Sequence, residues 1–254
     1  MANSDRPDLQ RFLDRLNGRS LLTQQEQKAV LGLGGHAVQI RSNRDFVRLG
    51  ERTEYASLVV AGFVGRFDQN SEGLRQITAV HIPGDVADLH SVVQPEATSA
   101  LQALSTATIV RIPHGAVRQA AATFPALAEA LWRDCMVDAS ILAQWVVNVG
   151  CRDARARIAH VICELATRLG EAPAKGTIVF PFPITQMQLG DITGLTAVHV
   201  NRTLAVLRRE NIADIRHNAC IYDWDALARA GDFDPDYLQT DVSPQKRLPF
   251  ALAS

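Results

Sequence analysis

No apolar run in the 254 residues approaches the roughly 18 that a membrane-spanning helix needs, which argues against a helical membrane protein. The opening MANSDRPDLQRFLDRL interleaves charge too densely for the apolar core of a signal peptide, so the chain is expected in the cytoplasm with no membrane partner. Cysteine is scarce. Cys135, Cys151, Cys163 and Cys220 are scattered, form no C-x-x-C pair, and are too few to staple a chain of this size, so reduced thiols packed as small apolar groups are expected. No G-x-S-x-G, Walker A or G-x-G-x-x-G run occurs. His81, His90 and His114 lie too far apart for the metal signature of a barrel enzyme, and His36, His160, His199 and His217 add no ligand spacing. His160 and Cys163 share a helix face, but the sequence supplies no further ligands. The chain is therefore read as not an enzyme, with no catalytic residue, metal or cofactor.

An excess of either charge is lacking too, with 26 basic and 27 acidic side chains and a net charge of -1. The distribution is more informative than the total. Residues 1–150 carry 14 basic and 15 acidic groups, residues 151–230 carry 10 and 8, and the remainder 2 and 4. Only the second stretch is net positive, at +2, which suits a selective binder of a polyanion with a shallow salt dependence. At 47% hydrophobic and 21% charged residues the composition is that of an ordinary globular protein, long enough for one large domain or two modest ones.

Residues 7–33 carry a helical pattern through Leu9, Phe12, Leu13, Leu16, Val30, Leu31 and Leu33. After it, short β-rich runs (HAVQI, DFVRL, YASLVVAG, VGRF, RQITAVHI, TATIVRI) are separated by turn signals at Ser42-Asn43, residues 68–73 and Pro83-Gly84-Asp85, which predicts an antiparallel sandwich or barrel. Over residues 124–149 the spacing of Leu127, Leu131, Val137, Ile141, Leu142, Trp145 and Val149 predicts one amphipathic helix of about seven turns, ended by Gly150. That length exceeds the ordinary mean of about 11 to 12 residues and suggests a coiled-coil-like seam between subunits, the alternative being a core helix lying on the sheet.

Beyond a periodic helix over residues 157–169, the segment PITQMQLGDITGLTAVHVNRTLAVLRREN reads as two short helices joined at Gly194. Thr185 and Thr196 are placed as their N-caps, and Val200, Leu204 and Leu207 bury one face of the second. Ala197, Val198, His199, Asn201 and Arg202 are left on the outward N-terminal part, the part that enters the major groove in helix-turn-helix proteins. Arg202 suits a guanine edge, Asn201 an adenine edge, and Ala197 or Val198 a thymine methyl. Thr185, Gln186, Thr196 and Arg208 suit phosphates. Residues 212–222, alternating around an Arg-His-Asn tip, add a wing.

Over nearly the whole chain this order resembles the Crp/Fnr superfamily of bacterial transcription regulators. The resemblance implies an α+β chain: an N-terminal antiparallel, jelly-roll-like β-roll of the cyclic-nucleotide-binding type over residues 1–123, a long dimerisation helix over 124–150, and a C-terminal winged helix-turn-helix over 151–230. Residues 231–254 are read as a partly disordered tail. It further implies a homodimer on a pseudo-palindromic operator in double-stranded DNA, an effector sensed through the roll, and contact with RNA polymerase if the protein activates. An effector pocket is expected at Gly84, Asp85, Asp88, Leu89, His90, Thr98 and Ser99.

Departures from the family pattern narrow this. Members that bind cyclic AMP carry Gly-Glu and Arg-Ser/Thr-Ala in the roll, whereas Ala87-Asp88 and Thr98-Ser99-Ala100 stand here, so the phosphate would lack its cation. No cysteine precedes Cys135, so the N-terminal iron-sulfur cluster of the oxygen sensors has no ligands. His90 lies near the haem ligand of the gas sensors, leaving haem as a minor alternative within a ligand-sensing module that binds DNA weakly or not at all. Many members carry Glu at the position of Val198, so the operator is expected to differ from the commonest one.

Overall fold

The computed structural model describes residues 7–173, 175–240 and 244. Helices α1 (Pro7–Asn17) and α2 (Gln24–Leu31) open the chain, the latter with a capping box in which Thr23 and Glu26 satisfy each other's backbone amides. Leu9, Phe12, Leu13 and Leu16 bury one face of α1 against the sheet.

The seven strands that follow form two antiparallel sheets. One has the order β1 (His36–Ile40), β7 (Ala107–Pro113), β3 (Tyr55–Ala61). The other has the order β2 (Arg44–Val47), β6 (Ala100–Ala103), β4 (Val64–Gln69), β5 (Arg75–His81). Asn43, at φ 60°, makes the β1–β2 turn that Ser42-Asn43 signalled. Strand β6 was not anticipated: ALQA has no alternation because all four residues are buried.

Helix α3 (His114–Thr123) leads into α4 (Pro125–Cys151). Two expectations about α4 are corrected. Gly150 does not end it, since the helix continues through Cys151 and stops where Arg152 turns extended at φ -95° and ψ 150°. The apolar stripe read from the sequence is also not one seam. Leu127, Leu131, Val137, Ile141 and Trp145 are buried within the protomer, and a second face stands exposed.

Helix α5 (Ala154–Arg168), N-capped by Asp153, begins the C-terminal part. There β8 (Ile178–Pro181), β10 (Asn218–Ile221) and β9 (Ala213–Ile215) form an antiparallel sheet, with α6 (Gln186–Thr193) and α7 (Ala197–Arg209) packed on α5. Helix α8 (Trp224–Gly231) lies along α5, and Gly231 comes so close that an added Cβ would sit 2.7 Å from the His160 nitrogen.

The segment read as a tail is partly structured. Residues Pro235–Leu238 form a 3-10 turn that buries Leu238 and lays Tyr237 against His160 and Glu164. Apart from Pro244, residues beyond 240 lie outside the described structure.

Candidate nucleic-acid interface

Helix α6 is fixed by a second capping box: Gln188 N–H donates to Thr185 Oγ1 (3.2 Å) and Thr185 N–H to Gln188 Oε1 (2.8 Å). Gly194, in the left-handed region at φ 66°, turns the chain. Gly190 lets the two helices close, since a Cβ there would stand 2.5 Å from the Leu195 carbonyl oxygen. Thr196 caps α7 by accepting from His199 N–H, and Val200, Thr203, Leu204 and Leu207 bury its inner face.

All nine residues expected to meet DNA are exposed: Thr185, Gln186, Thr196, Ala197, Val198, His199, Asn201, Arg202 and Arg208. Asn201 donates to Gln186 Oε1 at 3.2 Å, tying an expected base reader to an expected phosphate contact. Arg202 makes no ion pair among the described residues, whereas Arg208 is held by Asp214 at 2.7 Å. Asp214 also pairs with the wing-tip Arg216, which is 71% exposed. The exposed Met187 on α6 was missed, because its neighbours gave no sign of which way it faces.

The β-roll grips α6, not α7. Gln188 donates to Asn43 Oδ1 (3.0 Å) and the Leu104 carbonyl (3.1 Å). Gln76 donates to the Ile192 carbonyl, and Arg75 pairs with Asp191 at 2.9 Å. The outer face of α7 stays clear.

Behind this lies a buried ionic hub. Asp85 accepts from Arg15, Arg168 and Ile82 N–H. Arg15 also reaches Asp134 (2.6 Å) and Asp138 (3.2 Å), and Arg168 reaches Glu164 (3.1 Å). Glu164 in turn accepts from Trp145 Nε1 and the Tyr237 hydroxyl, each at 2.8 Å. Burial alone would raise the Asp85 carboxyl, but the two guanidinium groups outweigh it and hold it at about 2.

The expected effector pocket does not assemble. Asp88, His90 and Ser99 meet around a space of only about 10 Å³, shared with Arg66. Leu89 belongs to the core under α1, Thr98 is exposed, and Gly84 and Asp85 face a separate cleft beside α1. The turn at Pro83 to Asp85 and the segment after it line different spaces, a divergence that sequence proximity hides. Arg66 was overlooked: it donates to the Ala87 carbonyl at 2.6 Å, so a cation stands here after all, supplied by a different strand. A space of that size holds about one water. Burial raises the Asp88 carboxyl to about 6, against opposing hydrogen bonds from Ser57.

Residues 156–230 match the family model described as a Crp-like helix-turn-helix domain. Fold and exposed helix together define a winged helix-turn-helix transcription regulator carrying a cyclic-nucleotide-binding-like roll. The chain is 26% identical over 183 residues to the nitrogen fixation regulation protein FixK of Azorhizobium caulinodans, covering 72% of this chain and 73% of that one. It is 21% identical to the fumarate and nitrate reduction regulatory protein of Vibrio cholerae, over 70% of each. Among solved structures, FixK2 from Bradyrhizobium japonicum superposes with a TM-score of 0.70 at 24% identity, covering 78% of this chain and 98% of that one. The matched domain, the relatives and the shared fold together support a transcription regulator of the Crp/Fnr type.

Proposed function

We propose that the protein is a cytoplasmic homodimer that binds a pseudo-palindromic operator through α7, with RNA polymerase as a further partner where it activates. The observation that carries this reading is the exposed face of α7: an apolar Val198, a histidine, an asparagine and an arginine with no ion-pair partner among the described residues, over a buried base of Val200, Leu204 and Leu207. A thymine methyl, an adenine edge and a guanine edge are the partners such a set can discriminate.

The dimer reading is supported by α4. Trp132, Met136, Ala139, Ala143, Val146 and Gly150 are all exposed and alternate by four and three residues, the spacing of a coiled-coil seam. Trp132, Met136 and Val146 are each more than 60% exposed, a row of apolar surface that a lone protomer leaves in water. Two such helices packed along this seam would set the spacing of two α7 helices, which must stand roughly 34 Å apart to enter successive major grooves.

Binding to genomic fragments at two salt concentrations tests the reading. Selective retention of fragments sharing an inverted repeat is the expected outcome; affinity that is absent, or equal for all fragments, refutes it.

A further inference from the structure

A cleft of about 830 Å³ lies outside the roll interior and away from α7. Its walls come from α1, the β3–β4 turn, the Pro83-Gly84-Asp85 turn, the end of α5, and the residues just after the Pro235–Leu238 turn. It therefore sits where sensor, long helix and DNA-binding part meet. Its volume is that of a small-molecule site, about 300 to 1,000 Å³.

The chemistry of the walls narrows the occupant. Val60, Ile82, Leu169 and Leu238 contribute apolar surface. The charges of Arg15 and Arg19 are neutralised by Asp85, Asp134 and Asp138. Arg11 is exposed at the cleft and makes no ion pair among the described residues. Arg168 is only 6% exposed, and while its Nη atoms pair with Asp85 and Glu164, its Nε has no hydrogen-bond partner. A buried donor without an acceptor is costly, and such groups are ordinarily met by water or ligand. One uncompensated cation, one unmet donor and apolar walls fit a single negative charge on an apolar body. Asp14 and Glu171 on the same rim disfavour more than one charge.

We propose that this cleft binds a small organic monoanion, a carboxylate with an apolar body, and is the protein's ligand site in place of the filled roll interior. Only its regulatory consequence rests on the DNA-binding reading. Contact at Arg168 would reach Glu164, and through it Trp145 on α4 and Tyr237, by bonds already present.

The experiment is calorimetric titration of the intact protein, without DNA, using octanoate, octan-1-ol and inorganic phosphate as probes. Octanoate is expected to bind saturably, octan-1-ol at least tenfold more weakly, and phosphate not at all. Arg11→Ala, at an exposed position, should weaken octanoate about tenfold, and Arg11→Lys should restore most of that. Absence of saturable octanoate binding, equal binding of the alcohol, or affinity indifferent to Arg11→Ala overturns the site. DNA affinity measured separately on the same protein succeeds or fails independently of these results.

Discussion

Consider removing one rung of the exposed seam on α4. Met136 and Val146 are 63% and 62% exposed in the protomer. Burying such a side chain completely stabilises by about 1.5 to 3 kcal/mol, so covering the exposed three-fifths contributes about 1 to 2 kcal/mol. In a twofold dimer each substitution occurs twice, and Val146→Ala should cost most of about 2 to 4 kcal/mol, since alanine keeps part of the apolar surface. That corresponds to a rise in the dimer dissociation constant of at most roughly 30- to 1,000-fold. Sedimentation velocity across a dilution series measures it, with Leu49→Ala as the control. Leu49 is 68% exposed, but it lies on the loop after β2 and away from α4. Equal shifts for the two variants, or none for Val146→Ala, would show that apolar exposure on α4 has no part in association.

Three further outcomes are expected. Gly190→Ala should lower the melting temperature, with a cost of about 1 to 3 kcal/mol, because its Cβ would stand 2.5 Å from the Leu195 carbonyl oxygen; an unchanged Tm contradicts the tight helix contact. Arg202→Ala should cost about 1 to 3 kcal/mol at one base pair, whereas Arg208→Ala, whose charge is already shared with Asp214, should weaken all sequences alike; competition binding on single-base operator variants separates the two. For Asp88, whose folded pKa of about 6 lies above the ordinary aspartate value of 3.8, the contribution to stability is full below about pH 4 and lost as pH rises through 6. Denaturant titrations of Asp88→Asn and the parent should therefore diverge in the variant's favour over that range, by about 3 kcal/mol. A constant difference would mean the carboxyl is ionised throughout. Asp85 runs the opposite way, its stabilisation vanishing only as pH falls from about 4 towards 2.

What could be read from the chain alone depended on how local the signal was. Thr185, Gly194 and Thr196 act on their own backbone neighbourhood, so the caps and the turn between α6 and α7 were legible and fall where expected. The outward face of α7 followed from the same periodicity. By contrast, the apolar residues of α4 satisfy a helical period on two faces at once. Nothing local distinguishes Val137, packed in the core, from Met136, left exposed one position earlier. The ionic hub was invisible because Arg15, Asp85, Asp134 and Arg168 are brought together only by tertiary packing. The roll pocket failed for a related reason: Arg66 fills it from a strand some 20 positions before Asp88, where the sequence pattern had no ligand to mark.

Asp85 has a thermodynamic consequence as well as an electrostatic one. A single buried carboxylate pairs with one guanidinium from the first helix and another from the helix that begins the DNA-binding part, while one continuous core joins Phe63, Phe67 and Ile77 of the roll to Ile158, Phe180 and Leu204. Cutting the chain between residues 150 and 151 would strand Arg168 and Glu164 without Asp85 and Trp145. The boundary visible in composition is thus not one at which the molecule comes apart. The roll and the winged helix should unfold in one calorimetric transition, and the isolated C-terminal half should be far less stable than its share of the chain suggests.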